Sequence, residues 1–136
     1  MAKGEIRIYT DAASRNNPGK AACSFIFVEN KKIFFGFSKY LGKKTNNEAE
    51  YEAVILALKE AANQKFIKIK LYSDSELVIK QINGEYKVKQ DHLKKKIEEV
   101  QILSQYFTSA SFKNVPRGNE YIKKCDKMCN DVLDKH

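Results

Sequence analysis

No stretch of the 136-residue sequence approaches the run of about 18 apolar residues that a membrane-spanning helix requires, so no membrane segment is expected. Glycine is scarce, six in all, and no Gly-rich phosphate loop of the nucleotide-binding kind is present. Three cysteines are too few, and odd in number, for a disulfide framework; they fit the reducing cytoplasm. The opening Met1-Ala2-Lys3-Gly4-Glu5 lacks the apolar core of a secretory leader and is expected to lead directly into a strand. No linker or low-complexity segment interrupts the chain. What is present is a globular composition, 43% hydrophobic and 31% charged, enough for one domain spanning residues 1–136 with a proper core. The net charge is +8, from 25 basic and 17 acidic side chains. That excess favours a polyanionic partner, nucleic acid before a membrane surface.

Two stretches nearly repeat each other: Ile6-Arg7-Ile8-Tyr9-Thr10-Asp11 and Ile69-Lys70-Leu71-Tyr72-Ser73-Asp74. Each is an apolar, β-branched run ending in Tyr, a hydroxyl residue and Asp, and each reads as a buried strand. Side by side and parallel, the strands would set Asp11 beside Asp74 at the carboxyl edge of a sheet, where ligands bind in open α/β folds. Two carboxylates about 5 Å apart repel by roughly 3 kcal/mol at an effective dielectric near 20. A divalent cation would offset that. Asp can also end a strand merely as a turn former or as the N-cap of the next helix, and at this point both readings stand.

A loop is expected from Ala12 to Lys20, around Asn17-Pro18-Gly19. Strands over Ala21–Val28 and Lys32–Leu41, joined by a tight Glu29-Asn30-Lys31 turn, then complete an antiparallel meander. The phenylalanines at 25, 27, 34, 35 and 37 read as sheet core. After a basic loop, Gly42-Lys43-Lys44-Thr45, a helix is expected over Asn46–Ala62. Its apolar stripe runs through Ala53, Val54, Ala57, Leu58 and Ala61, and Glu50 falls on that stripe. A carboxylate there is costly unless paired or metal-bound. The strand Phe66–Ser73 follows by a right-handed crossover and is parallel to its neighbour. Helices over Ser75–Ile82, stopped by Asn83-Gly84, and His92–Phe107 precede a last strand, Ser109–Val115. In the final helix, from Asn119, a stripe through Ile122, Asp126, Cys129 and Leu133 again carries an acid among apolar residues. The expected fold is α/β: a mixed five-stranded sheet, three antiparallel strands then two parallel, with helices on both faces. Four clustered carboxylates, Asp11, Glu50, Asp74 and Asp126, would suit two hard cations such as Mg²⁺ or Mn²⁺, and hence phosphodiester hydrolysis. Cys125 and Cys129, with no further Cys or His nearby, read as small core residues.

The motifs resemble type 1 ribonuclease H. They are Tyr9-Thr10-Asp11 leading into Asn17-Pro18-Gly19, Thr45-Asn46-Asn47-Glu48-Ala49-Glu50-Tyr51, Tyr72-Ser73-Asp74-Ser75, and Val115-Pro116-Arg117 followed by Asn119, Asp126 and Asn130. The resemblance covers nearly the whole chain. It implies a ribonuclease H-like fold and an endonuclease that cuts the RNA strand of RNA–DNA hybrids with two Mg²⁺ or Mn²⁺ per active site, no organic cofactor, and a monomeric chain. Asp11, Glu50, Asp74 and Asp126 match the family's metal-binding acids, whereas Glu48 does not. Ser14, Asn17, Asn46, Asn47 and Glu76 match hybrid-contacting positions, and Thr45 one near the DNA phosphate pocket. Polar side chains in a shallow minor groove can read 2′-hydroxyls. The sequence departs from the family at Ala12, where many members have Gly in the loop. It departs again in the loop before the final helix, where Arg117 stands instead of a histidine. There is no Trp and Gly84–Asp91 is short, as in the compact forms without a basic protrusion. Tyr86 to Lys89 and Lys94 to Lys96 are candidates for the substrate grip; a solvated helix face is the other reading of the last three lysines. Two other functions fit the same fold: a non-catalytic module binding hybrid or double-stranded RNA, and a DNA-directed nuclease of the wider superfamily.

Overall fold

The computed structural model describes residues 3–136; Met1 and Ala2, where the sequence was expected to run into the first strand, lie outside the described residues. The strands are β1 (Lys3–Arg15), β2 (Gly19–Glu29), β3 (Lys32–Lys44), β4 (Phe66–Ser73) and β5 (Ser109–Asn114). The helices are α1 (Asn46–Asn63), α2 (Glu76–Ile82), α3 (Asp91–Ser104) and α4 (Glu120–Asp134). The five strands form one sheet in the order β3-β2-β1-β4-β5. The pairs β1–β2 and β2–β3 are antiparallel, and β1–β4 and β4–β5 are parallel. This is the expected mixed sheet.

The turns follow local chemistry. Asn30 and Lys31 both take positive φ, 52° and 64°, the two-residue geometry that matches strand twist in a hairpin. Gly84, at φ 78°, closes α2: its N–H reaches the Gln81 carbonyl at 3.2 Å and the Glu85 N–H reaches Lys80 at 2.8 Å, the Schellman pattern that needs a left-handed residue. Gly19 is required sterically, since a Cβ there would lie 1.6 Å from the Arg15 carbonyl oxygen.

One face of the sheet carries the larger core. Ile6, Ile8, Phe25, Phe27, Ile69 and Leu71 pack against Tyr51, Val54, Ile55 and Leu58 of α1, with Leu93 and Val100 of α3 behind. Lys96 ties α3 to Glu52 of α1 at 2.7 Å, whereas Lys94 makes an exposed pair with Asp91 within α3 itself, as on a solvated helix face. On the other face, α4 lays Ile122, Cys125, Cys129 and Leu133 on Tyr9, Ile26, Val28 and Ala22.

Three expectations are corrected. The segment after Asp11 is not a loop: β1 runs on to Arg15 and β2 begins at Gly19, because Ala12 to Arg15 pair with Lys20 to Cys23. Ala12 is thus a strand residue, packed on Ala21, Cys23, Ala49 and Ala53. The basic loop at Gly42 to Lys44 is likewise the end of β3, paired with Gly19 to Ala21. Finally, Phe34 and Phe37 are not core but exposed, because β3 is the sheet edge, and a bulge opposite Phe27 and Val28 breaks its alternation.

Candidate active site

The parallel register of β1 and β4 ends at Tyr9 opposite Tyr72, and two residues beyond that pair stand Asp11 and Asp74. In the turn after β4, Ser73 Oγ accepts from the Ser75 N–H at 3.0 Å, and the Ser75 hydroxyl caps α2. Glu50 arrives from the first turns of α1. Thr45 starts that helix with a capping box: its hydroxyl accepts from the Glu48 N–H at 3.1 Å, and the Glu48 carboxylate accepts from the Thr45 N–H at 2.9 Å. With the start of the helix fixed, Glu50 falls on the buried side, between Ala49 and Tyr51.

One carboxylate oxygen from each of Asp11, Glu50 and Asp74 lies within 4.8 Å of the other two. Glu50 is 2% exposed, and its Oε2 is buried with no hydrogen-bond partner among the described residues. Burial raises the Glu50 carboxyl well above its usual range, with Asp11 and then Asp74 adding to it. Burial and the charge of Asp74 push Asp11 up to about 7, against the pull of the Ala12 N–H. Asp74 is raised by burial, with Arg117 opposing. Three carboxylates close enough to share an ion, a buried Glu50 oxygen without a hydrogen-bond partner among the described residues, and a mutual repulsion that keeps protons on fit a hard divalent cation.

The three acids line a cleft of about 820 Å³ that also includes Ser14, Asn46, Ser75, Arg117, Lys123 and Asp126. Asp126 differs from the expectation. It is exposed, and Cys125 holds the core-facing place. One residue is a rotation of about 100° on a helix, which moves Asp126 from the buried stripe to the rim. Its charge still raises Asp11 and Asp74. Arg117, in the loop between β5 and α4, has a side chain 95% exposed and its Nε 3.8 Å from Asp74 Oδ2. His92 lies in the first turn of α3 and His136 stacks on Tyr40, so neither occupies that loop.

Of the expected substrate-contacting residues, the structure brings Ser14 and Asn46 into the cleft. Ser14 Oγ donates to the Lys44 carbonyl at 2.7 Å. Asn17 Oδ1 accepts from the Asn46 N–H at 2.8 Å, which ties the β1–β2 turn to the start of α1. Asn17, Thr45, Asn47 and Glu76 stand outside the cleft lining; Glu76 is exposed and pairs with Lys80 at 2.8 Å. Sequence reasoning missed Lys123 and Ser75. The signal for Lys123 was available, since it sits three residues before Asp126 on one helix face.

A family model described as Reverse transcriptase-like matches residues 9–130. The chain is 36% identical to Ribonuclease HI of Halobacterium salinarum over 96% of its length, and spans 65% of that relative. The crystal structure of RNase H1 from the same archaeon superposes with a TM-score of 0.93, covering 98% of this chain and all of that one. The chain belongs to the type 1 ribonuclease H family. Ribonuclease H of Clostridium botulinum (strain Hall) is 31% identical over 96% of this ribonuclease H chain and 97% of the relative. LC11-RNase H1, solved in complex with an RNA/DNA hybrid, matches with a TM-score of 0.88 and 32% identity over 96% of this chain and 97% of its own.

Proposed function

We propose that this ribonuclease H chain hydrolyses the RNA strand of RNA–DNA hybrids, with Mg²⁺ or Mn²⁺ held by Asp11, Glu50 and Asp74 and completed by Asp126. The observation that carries the reading is the meeting of the Asp11, Glu50 and Asp74 carboxyl groups, with Glu50 Oε2 buried and unpartnered among the described residues. Divalent cations bound there supply the charge that activates a water and stabilises the oxygens of a phosphodiester. The chain's own groups arrange the rest. Asp11 and Glu50, desolvated and mutually repelling, gain little from any ligand but a cation. Arg117 offsets Asp74 and extends into solvent, where its guanidinium suits a phosphate on the incoming strand or a departing product. Ser14 and Asn46 line the same cleft. Asn17, Thr45, Asn47 and Glu76 stand on the neighbouring turn and helix starts, and these polar groups suit the 2′-hydroxyls and sugar-phosphate edges of a minor groove. A net charge of +8 favours a polyanion without sequence preference. The relative solved with a hybrid supports the same substrate class. The proposal extends to a monomer working in the cytoplasm, in keeping with three cysteines that are all free and buried.

The test is cleavage of an end-labelled RNA–DNA hybrid with Mg²⁺ and then Mn²⁺, with single-stranded RNA and duplex DNA as controls. Only the RNA strand of the hybrid should be cut, and Asp11→Asn or Asp74→Asn should abolish turnover while the fold is kept. Cutting of duplex DNA would point to a DNA-directed nuclease. Tight hybrid binding with no cleavage in either metal would make the chain a binding module.

A further inference from the structure

Residues 21–28 of β2 are buried without a break, and Ser24 is the one hydroxyl among them. It lies directly opposite Asp11 in the β1–β2 register and is 0% exposed. A buried hydroxyl is costly unless both its capacities are used, and here they are. Ser24 Oγ donates to the Cys125 carbonyl at 2.8 Å, and Cys129 Sγ lies 3.3 Å from the same oxygen. The Cys129 thiol also lies 3.7 Å from the Asp11 carbonyl oxygen, and the Cys125 thiol donates to the Tyr9 carbonyl at 3.4 Å. Towards the surface, Asn130 Nδ2 donates to the Asp126 carbonyl at 3.0 Å, and Arg15 donates to Asn130 Oδ1 and to Asp134.

These contacts bracket the two acids. Apolar packing alone is non-directional and lets a helix slide along a sheet; a hydrogen bond to one carbonyl selects one register. The carbonyl that Ser24 holds belongs to the residue just before Asp126, and the strand residue paired with Ser24 is Asp11. Asp126 itself is exposed and has no side-chain hydrogen bond or ion pair among the described residues to place it, so its approach to the cleft is set by the register of α4.

We propose that Ser24, together with Cys129, is a positioning residue that sets Asp126 against Asp11, and so tunes the affinity of the cation that Asp126 helps to hold. The inference rests on the metal-dependent reading of the cleft. The test is titration of the metal-free chain with Mn²⁺ by calorimetry, in the absence of nucleic acid, on wild type, Ser24→Ala and Val100→Ala. Ser24→Ala should fold, keep the tighter Mn²⁺ site, and bind the weaker one about tenfold less well, as loss of a supporting contact behind a metal ligand does. The Mn²⁺ concentration needed for half-maximal hybrid cleavage should rise by the same factor. Val100→Ala loosens the opposite core and should lower the melting temperature while leaving both Mn²⁺ affinities unchanged. Unchanged affinities in Ser24→Ala, or an equal loss in Val100→Ala, would overturn the proposal. Should Ser24→Ala fail to fold, Cys129→Ala removes the thiol from the same seam and carries the same expectation. Wild-type chain that binds Mn²⁺ without cutting hybrid would overturn the proposed function while the titration still decides the positioning role. Absence of Mn²⁺ uptake by wild type would overturn both.

Discussion

Glu50 and Asp126 are both carboxylates carried on helices that pack against one sheet, yet their settings are opposite. Glu50 is buried beside the large aliphatic and aromatic core, and burial first, then the charges of Asp11 and Asp74, push its carboxyl upward. Asp126 sits on the exposed rim, on a helix held by a smaller apolar contact, by the Cys125 thiol donating to the Tyr9 carbonyl and by the Ser24 hydroxyl donating to the Cys125 carbonyl. The difference teaches that an acid can be committed to a cation in two ways. In the proposed function, burial leaves Glu50 few alternatives to a cation, whereas Asp126 would join only through its place on the cleft rim.

The comparison can be broken by mutation. Glu50→Gln should lower hybrid turnover by at least about a hundredfold, the scale of a lost metal ligand. Because burial favours the neutral acid when no cation is present, Gln imitates that form and the metal-free melting temperature should hold or rise. Asp126→Asn should cost about tenfold at limiting Mg²⁺ and recover as Mg²⁺ is raised. Equal losses from the two substitutions, assayed side by side across a Mg²⁺ series, would erase the distinction between buried and rim acids.

A pH series sharpens it. Asp11 is pushed up to about 7 from the usual 3.8. Between those values the folded chain holds a proton that the unfolded chain has released. The contribution of Asp11 to metal-free stability therefore declines as pH rises from about 4 to about 7 and levels off above. Thermal melts of wild type and Asp11→Asn in EDTA should converge at low pH, with the variant relatively more stable at neutral pH. Mg²⁺ should restore the wild type only. The smallest effect is expected at Arg117. The Arg117 side of its ion pair with Asp74 is 95% exposed, and pairs screened by solvent in this way contribute about 1 kcal/mol or less. Arg117→Ala should change Mg²⁺ affinity by less than about fivefold; any larger loss should appear in turnover or product release, measured by comparing burst and steady-state rates.

Much of the fold was legible locally. The run Phe66–Ser73 is β4 to the residue, since an isolated β-branched stretch between turns has few other uses. The Asn83-Gly84 stop was readable because only glycine is comfortable at that φ. Glu50 was readable as anomalous, because an acid on an apolar stripe violates the helix pattern. The extension of β1 past Asp11 was not readable. Ala12, Ala13, Ser14 and Arg15 are small or polar, and they form strand only because β2 folds back to pair with them. Phe34 and Phe37 misled for a related reason: their hydrophobicity promised burial, but no element covers the edge strand fully. In α4 the period placed Ile122, Cys129 and Leu133 correctly, but spacings of three and four fit it equally well, and the docked helix buries Cys125 where Asp126 was expected.

The sequence by itself determined the order of the elements, the Glu29-Asn30-Lys31 turn and the Asn83-Gly84 stop, and the acids that stand out from their local pattern, because propensity and periodicity act over a few neighbouring residues. Tertiary structure decided which acids meet. Asp11 and Asp74 are brought together by a parallel register across 62 intervening residues, Glu50 by the seat of α1 on the sheet, and Asp126 reaches the rim of the same cleft through the docking of α4. Each of those placements depends on contacts between residues far apart in the chain, and only their packing in three dimensions selects one of the registers that the local pattern permits.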